Sequence, residues 1–482
     1  MLFLLGTGAT AASHIWQGPP TPRVVDELSY LYAAETFSRG RLTNPTPPHW
    51  RHFQAMHVLS EPTSQSKYPP AQAAGLAVGV ALGHPALGLW LSSGLLTAAV
   101  AWLLSLWLPP PWPLLGALVV LLRIGVGSYW NQSYWGGTLA MVAGILVLGG
   151  VRVCLERPSV GGAVLLGLGL LTLANSRPFE GLLFSVPPCA VLAARLLRSK
   201  GIQARRRWLV VALPLAATLG LGAIAMGVYH HAVTGSALTF PHFLYTDRYM
   251  PGWAHFLWNY HFDRPLWQVS LQRGIPRSAF AAFFYLGLAG SCFAALALPR
   301  LRRDPWLAIG GLSAGLVLLG QFLTKPWHAH YSAPLGGVLV LTALIGLRRL
   351  TVGLRSQGHP GRLLPLAFLA AQFVICLIHL PAHRPDEDSI AGMRQTVHQR
   401  LVAEPGRDLV FLCNPWHRDD WMLNSPDLET AEVLWVRELT DDENQALLQD
   451  FADRRIWHLQ HDQNGITLRE RNHEGTVAFS AP

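Results

Sequence analysis

Apolar residues along the chain fall in long blocks separated by short polar stretches, the pattern of helices buried in lipid rather than of amphipathic elements around a soluble core. The blocks lie near 71–83, 86–108, 112–127, 137–152, 160–175, 181–197, 208–229, 278–298, 305–323, 335–347 and 363–381, and several contain Gly and Pro, which membrane helices tolerate. Residues 2–16 are also apolar. With no basic segment ahead of them and no small-residue cleavage site before Gln17, they read as a first membrane helix and not as a signal peptide. Segment 71–83 would reach only ~20 Å into a hydrocarbon core of ~30 Å, so it is expected to be a partial or re-entrant helix, which leaves about 11 crossings.

Beyond residue 381 the pattern changes. A strand-like LVFLC (409–413), a helical ETAEVLWVREL (429–439), a charged helix near 441–452 and a strand-like RIWHLQ (455–460) predict a small α/β domain. The expected fold class is thus an α-helical polytopic membrane protein, residues 1–381, with a C-terminal α/β domain, residues 382–482.

Charge orients this arrangement. The sequence is 51% hydrophobic and 13% charged, with net charge +9. Residues 1–381 hold 9 acidic and 27 basic side chains, whereas the tail holds 19 and 10, so the positive charge marks span ends and is not a nucleic-acid signal. Arginines cluster in 195–207, 300–303 and 348–362, which places those loops in the cytoplasm. Loops 17–70, 174–180, 230–277 and 324–334 and the tail then lie on the opposite, periplasmic face. The five cysteines, Cys154, Cys189, Cys292, Cys376 and Cys413, show no paired or metal-ligand spacing and read as structural.

Carboxylates beside a bilayer are costly, and four of the nine before the tail sit in the 17–70 loop: Asp26, Glu27, Glu35 and Glu61. Asp26 and Glu27 open a predicted helix, VVDELSYLYAAETFSRG, whose N-terminal dipole would keep a carboxylate ionised and able to take a proton from a hydroxyl, or which they merely cap. Only three lysines occur, Lys67, Lys200 and Lys325. Lys67, in SKYPP with Tyr68 beside it, suits a lipid phosphate, or snorkels to the interface. Arg177 and Glu180 in NSRPFEG form an ion-pair candidate at a second external junction. SYWNQSYWGG, with Asn131 and Tyr134, lines a headgroup cleft or belongs to an aromatic belt. The aromatic stretch 240–267 carries Arg248 and either stacks on sugars or anchors the loop. His328 and His330, next to Tyr331, could join His242, His255 and His261 around a divalent cation or be ordinary loop histidines. No nucleotide-binding, zinc-protease or nucleophile-elbow motif is present in a suitable context, so an activated donor would come from the lipid phase.

The segments DELSYLYAAETFSRGRLTNP, SKYPP, SYWNQSYWGG, NSRPFEGLL and HAHYSAP resemble bacterial members of the dolichyl-phosphate-mannose protein mannosyltransferase superfamily, C-type membrane glycosyltransferases that use polyprenyl-phosphate sugars. The resemblance covers 1–381. It implies inverting transfer from a polyprenyl-phosphate-linked sugar to a lipid, glycan or protein acceptor at the outer face of a bacterial inner membrane, with Asp26 as general base, Glu27 supporting the base or binding acceptor, and Lys67, Tyr68, Arg177 and Arg248 toward the donor. Asn131, Tyr134, Glu180, His330 and Tyr331 would then line the substrate cleft. In the similar aminoarabinose transferases a Glu two residues before the lysine helps bind a metal. Here that place is Gln65, so a divalent metal stays an open question. The alternative function is a flippase of lipid-linked sugars that breaks no bond, for which Arg123 would be the mid-membrane charge.

Overall fold

The computed structural model describes residues 1–253, 256–257, 263–383, 389–413, 418–462, 465–471 and 476–479. The chain begins with α1 (Leu2–Gln17) and then folds its first loop around α2 (Val25–Ser38), the short α3 (Trp50–Phe53) and a three-stranded antiparallel sheet. In that sheet β3 (Thr63–Ser66) lies between β1 (Asn44–Pro45) and β2 (Val58–Leu59), with Asn44 opposite Ser64 and Leu59 opposite Gln65. The membrane part continues as α4 (Ala71–Ala81), α5 (Ala86–Ser105), α6 (Trp112–Val120) with a π-helical turn at Leu121–Val126, α7 (Thr138–Glu156), α8 (Val160–Ala174), α9 (Pro178–Arg198), α10 (Gly201–Arg207) and α11 (Leu213–Thr234). After α12 (Pro241–Tyr249) come α13 (Leu266–Ala297), α14 (Pro305–Gly320), α15 (Gly336–Ser356) and α16 (Leu363–His379).

Among the described residues, six helical stretches are long and apolar enough to cross a membrane, and five apolar helices are shorter. One of the short ones is α4, whose 11 residues rise only about 16 Å, in keeping with the expected partial helix. Small residues let the helices approach closely, as membrane packing requires. A Cβ at Gly346 on α15 would sit 1.7 Å from the Phe293 carbonyl of α13, and one at Gly144 on α7 would sit 2.2 Å from the Pro334 carbonyl. Gly287, at φ 66°, breaks α13. Arg123, from the π-helical turn, meets that break: Nε donates to the Phe284 carbonyl at 2.8 Å, and the guanidinium also reaches the Phe283 carbonyl and, at 3.4 Å, Gln372.

Two expectations need correction here. The second outer loop is shorter than 230–277, because α11 runs to Thr234 and α13 begins at Leu266. Gln268, Gln272, Arg273 and Arg277 had hidden that first stretch of α13 from a hydropathy pattern. Arg277 caps the surface instead, donating to the carbonyls of Gln321 and Thr324 at 2.9 and 2.7 Å.

The tail is an α/β unit of α17 (Ile390–Ala403), β4 (Asp408–Leu412), α18 (Arg418–Trp421), β5 (Val433–Arg437), α19 (Asp441–Asp450), β6 (Arg455–Asp462), β7 (Gly465–Glu470) and β8 (Thr476–Phe479). Its sheet runs β5-β4-β6-β7-β8, with β4 parallel to both neighbours and the last three strands antiparallel. The expected helix over 429–439 is therefore the strand β5. Buried on both faces, its Val-Leu-Trp-Val run lacks the alternation that marks a half-exposed strand. Val410, Leu412 and Trp435 pack on one side with Val397 and Leu401 of α17, and Phe411, Leu434 and Val436 pack on the other with Leu447 of α19.

Candidate active site

The N-terminus of α2 is built by Glu27. Its Oε2 accepts from the N–H groups of Arg23 at 2.6 Å and Val24 at 3.2 Å, and its Oε1 accepts from the Tyr134 N–H at 2.7 Å. This carboxylate is 1% exposed, so it caps the helix and ties the 128–137 segment to it rather than facing a substrate. Burial raises its pKa, and the N–H donors oppose that rise. With Glu27 fixed, the preceding Asp26 points the other way. Tyr68 donates its hydroxyl proton to Asp26 Oδ1, while His57 Nε2 stands 3.9 Å from Oδ2 and a quarter of the aspartate side chain stays exposed.

Lys67 is placed by β3. Its N–H donates to the His57 carbonyl at 3.0 Å, and Ser66 beside it bonds Ser29 of α2 at 2.7 Å. The side chain is 6% exposed, and its ammonium lies 4.7 Å from the ring centre of Tyr245 and 5.2 Å from that of Tyr68. Burial pulls its pKa down to about 8, against the pull of Asp26. Among the described residues no carboxylate closes an ion pair with it. Burial, and after it the charge of Lys67, also push the His57 imidazole down to about 4, so it is neutral at pH 7. Tyr30 stacks on Tyr68 at 4.8 Å and fixes the ring that serves Asp26.

Arg177 and Tyr331 complete the cluster from two other loops, the guanidinium 4.4 Å from the ring centre. The Ala71 N–H donates to the Asn175 carbonyl at 2.9 Å and so ties the Arg177 loop to the segment after Lys67. Tyr30, Tyr331, His57, Lys67 and His328 all feel the charge of Asp26. Residues of the four loops expected on one face, 17–70, 174–180, 230–277 and 324–334, thus come together in one cluster.

Other expected residues lie outside this cluster or are held in other contacts. Asn131 is 3% exposed and donates to Ser13 of α1 at 2.8 Å, and Tyr134, 2% exposed, donates its hydroxyl to the Pro20 carbonyl at 2.9 Å. Both brace the first loop, and neither lines a cleft. Arg248 turns from the cluster to the Glu61 carbonyl, 3.0 Å away. Glu180 is buried in the first turn of α9. His330 bonds Tyr129 at 2.8 Å and packs between Trp135 and His328. Among the described residues no three metal donors converge there, and His255 and His261 lie outside them. Gln65 spends its amide on the Leu42 carbonyl and the Ser66 N–H, both at 2.7 Å. The residues present at this site do not assemble a metal-ligand set. The sequence pattern did not single out His57 or Tyr245. His57 carries no motif, and its φ of 66° is visible only in three dimensions.

The acidic tail docks on arginines and a histidine of the first loop. Arg41 meets Asp427 at 2.6 Å and Arg39 meets it at 3.2 Å, His49 reaches Asp450 at 2.8 Å, and Arg394 donates to the Pro22 carbonyl. The seam between them holds a cavity of about 40 Å³, bounded by Leu28, Tyr32, Asn424 and Ser425, room for a few waters and not for a sugar.

Three solved structures share this architecture. ArnT from Cupriavidus metallidurans bound to undecaprenyl phosphate superposes with a TM-score of 0.56 at 13% identity, over 93% of this chain and 87% of that one. Its apo form gives 0.55, also at 13% identity, over 94% and 88%. The apo oligosaccharyltransferase of Archaeoglobus fulgidus gives 0.54 at 10% identity, over 95% of this chain and 69% of that one. The chain has the C-type glycosyltransferase fold. No protein-family model matches the sequence, and no curated protein matches it. At these identities the likeness is one of fold, and it extends over the tail as well as the membrane part.

Proposed function

We propose that the protein is a membrane glycosyltransferase that moves a hexosyl or pentosyl group from a polyprenyl-phosphate donor to a hydroxyl of an envelope lipid, glycan or protein. One observation carries the proposal: a half-buried carboxylate, Asp26, lies within electrostatic reach of a buried ammonium, Lys67, with which no carboxylate closes an ion pair among the described residues. The fold shared with ArnT, whose structure holds undecaprenyl phosphate, supports it.

In this mechanism Asp26 accepts the proton of the acceptor hydroxyl as its oxygen bonds to the anomeric carbon, and the carbon–phosphate oxygen bond breaks on the opposite face, with inversion. Polyprenyl phosphate leaves with the bonding electrons. Lys67 meets the charge that grows on it, aided by Arg177, in a site where burial strengthens the attraction. Tyr68 holds the Asp26 carboxylate in place, and Glu27 holds the helix start that carries Asp26. A largely apolar cavity of about 130 Å³ beside Tyr129, walled by Phe280, Phe283, Ile375 and Cys376 and edged by Arg123, Gln372 and His379, would seat isoprenyl units. The arginines at the far ends of α9, α13 and α15 support a periplasmic position for this cluster and for the tail packed beside the first loop.

A flippase needs a charge free to move along a pathway. Arg123 is instead held by two backbone carbonyls at the α13 break, which favours the transferase. Mass spectrometry of envelope glycans and glycolipids after deletion tests the proposal. A missing sugar, restored by the wild-type gene and not by Asp26→Asn, is the expected result, and unchanged profiles would end it.

A further inference from the structure

The tail carries a cluster that the transfer chemistry does not use. Cys413, Glu438 and His458 present a thiol, a carboxylate and an imidazole nitrogen that all lie within 4.8 Å of one another. They come together through the sheet. In the parallel register Phe411 lies opposite both Val436 and His458. Cys413 and Glu438 each stand two residues beyond that row, just past the ends of β4 and β5, on the same face. The Cys413 N–H extends the ladder to the Leu459 carbonyl at 3.0 Å, and the Phe411 ring stacks on His458 at 5.5 Å and 17°, which orients the imidazole.

From this geometry we infer that Cys413, Glu438 and His458 form a metal site for a zinc-class divalent cation, with a fourth position open to water. The Cys413 Sγ to His458 Nδ1 separation is 3.5 Å. Tetrahedral zinc, with bonds of about 2.3 Å to sulfur and 2.05 Å to nitrogen, places two such ligands about 3.6 Å apart. The donor set is chemically apt: one thiolate, one carboxylate and one neutral imidazole balance a 2+ ion and favour zinc over hard cations. Burial lowers the pKa of His458 and keeps its ring neutral. The thiol, pushed up to about 12 first by burial and then by Glu438, gives its proton to solvent as the cation–sulfur bond forms. Glu438 is exposed, so ions have a way in. The ion would clamp the ends of three adjacent strands and shield a thiol in an exported domain from oxidation. Sequence spacing cannot reveal the site, because a strand-and-helix unit separates each ligand from the next.

Cobalt(II) titration of the chelator-stripped, full-length protein in detergent tests this. One equivalent should bring up a near-ultraviolet thiolate-to-cobalt charge-transfer band that zinc then bleaches. Cys413→Ser should abolish the band. Glu438→Gln, at an exposed position where folding tolerates it, should weaken binding at least about tenfold while the metal-free protein melts as the wild type does. No charge-transfer band in the wild type, or an unchanged band in Cys413→Ser, would overturn the inference.

Discussion

Lys67 sets up a pH-dependent affinity whose size can be worked out. Its folded pKa of about 8, against an ordinary value of 10.5, means that keeping the ammonium charged in the ligand-free site costs about 3 kcal/mol at pH 7. A bound phosphate restores a counter-charge and raises that pKa, so binding takes up a proton wherever the free lysine has lost it. The sign follows: affinity is full below pH 8 and falls as pH rises through it. With about nine-tenths of the free protein protonated at pH 7 and about one-tenth at pH 9, the apparent Kd for polyprenyl phosphate should rise roughly tenfold between them. Lys67→Met should abolish this dependence along with most of the affinity, yet leave the ligand-free protein at least as heat-stable, because the buried charge is gone. Fluorescence titration of the detergent-purified protein across pH 7 to 9, beside thermal unfolding of both forms, gives the comparison. A flat wild-type profile, or a Lys67→Met variant that binds like the wild type, would refute the assignment of Lys67.

Further consequences concern neighbouring residues. Tyr68→Phe removes the hydrogen bond to Asp26 and keeps the ring stacked on Tyr30, so turnover should fall about tenfold with an unchanged melting curve; full turnover would show that Asp26 needs no such support. Glu27→Gln leaves three N–H groups sharing a weaker acceptor and should cost about 2 kcal/mol by thermal or denaturant unfolding, whereas a loss of turnover with wild-type stability would point to a direct chemical role. Gly346→Ala pushes a methyl into the Phe293 carbonyl, which cannot yield, and should destabilise the α13–α15 packing by about 3 kcal/mol; a wild-type melting temperature would contradict that contact. Asp427→Ala removes a partner shared by Arg39, which keeps Glu35, and Arg41, both half-exposed. Proteolysis of the tail should quicken modestly at low salt and converge with the wild type at high salt, while a salt-independent effect would argue against electrostatic docking.

The membrane part was legible because lipid imposes one rule, uninterrupted apolar length, and arginines mark one side of it. Where that rule lapses, sequence reading lapsed too: the polar start of α13 was read as loop, and the doubly buried β5 as helix. At the site, Asp26 and Lys67 stood out by rarity, since acids and lysines are scarce beside the bilayer. Glu27 stood out for the same reason, yet its carboxylate turns inward to cap α2. Asn131 and Tyr134 looked like a cleft because polar and aromatic residues at a membrane boundary look alike whether they face substrate or brace a loop. Only the hydrogen bonds to Ser13 and Pro20 separate the two cases. His57 and Tyr245 come from positions far apart in the chain, and no local pattern announces that they will meet Lys67.

The most direct test of the account is single-turnover transfer by purified Asp26→Asn with a polyprenyl-phosphate sugar and the acceptor identified by envelope mass spectrometry. Asparagine keeps the size and the Tyr68 contact but cannot take a proton from a hydroxyl. Turnover should fall by about a thousandfold, with polyprenyl-phosphate affinity and the melting curve close to wild type. Transfer within tenfold of wild type would contradict the central claim that Asp26 is the base.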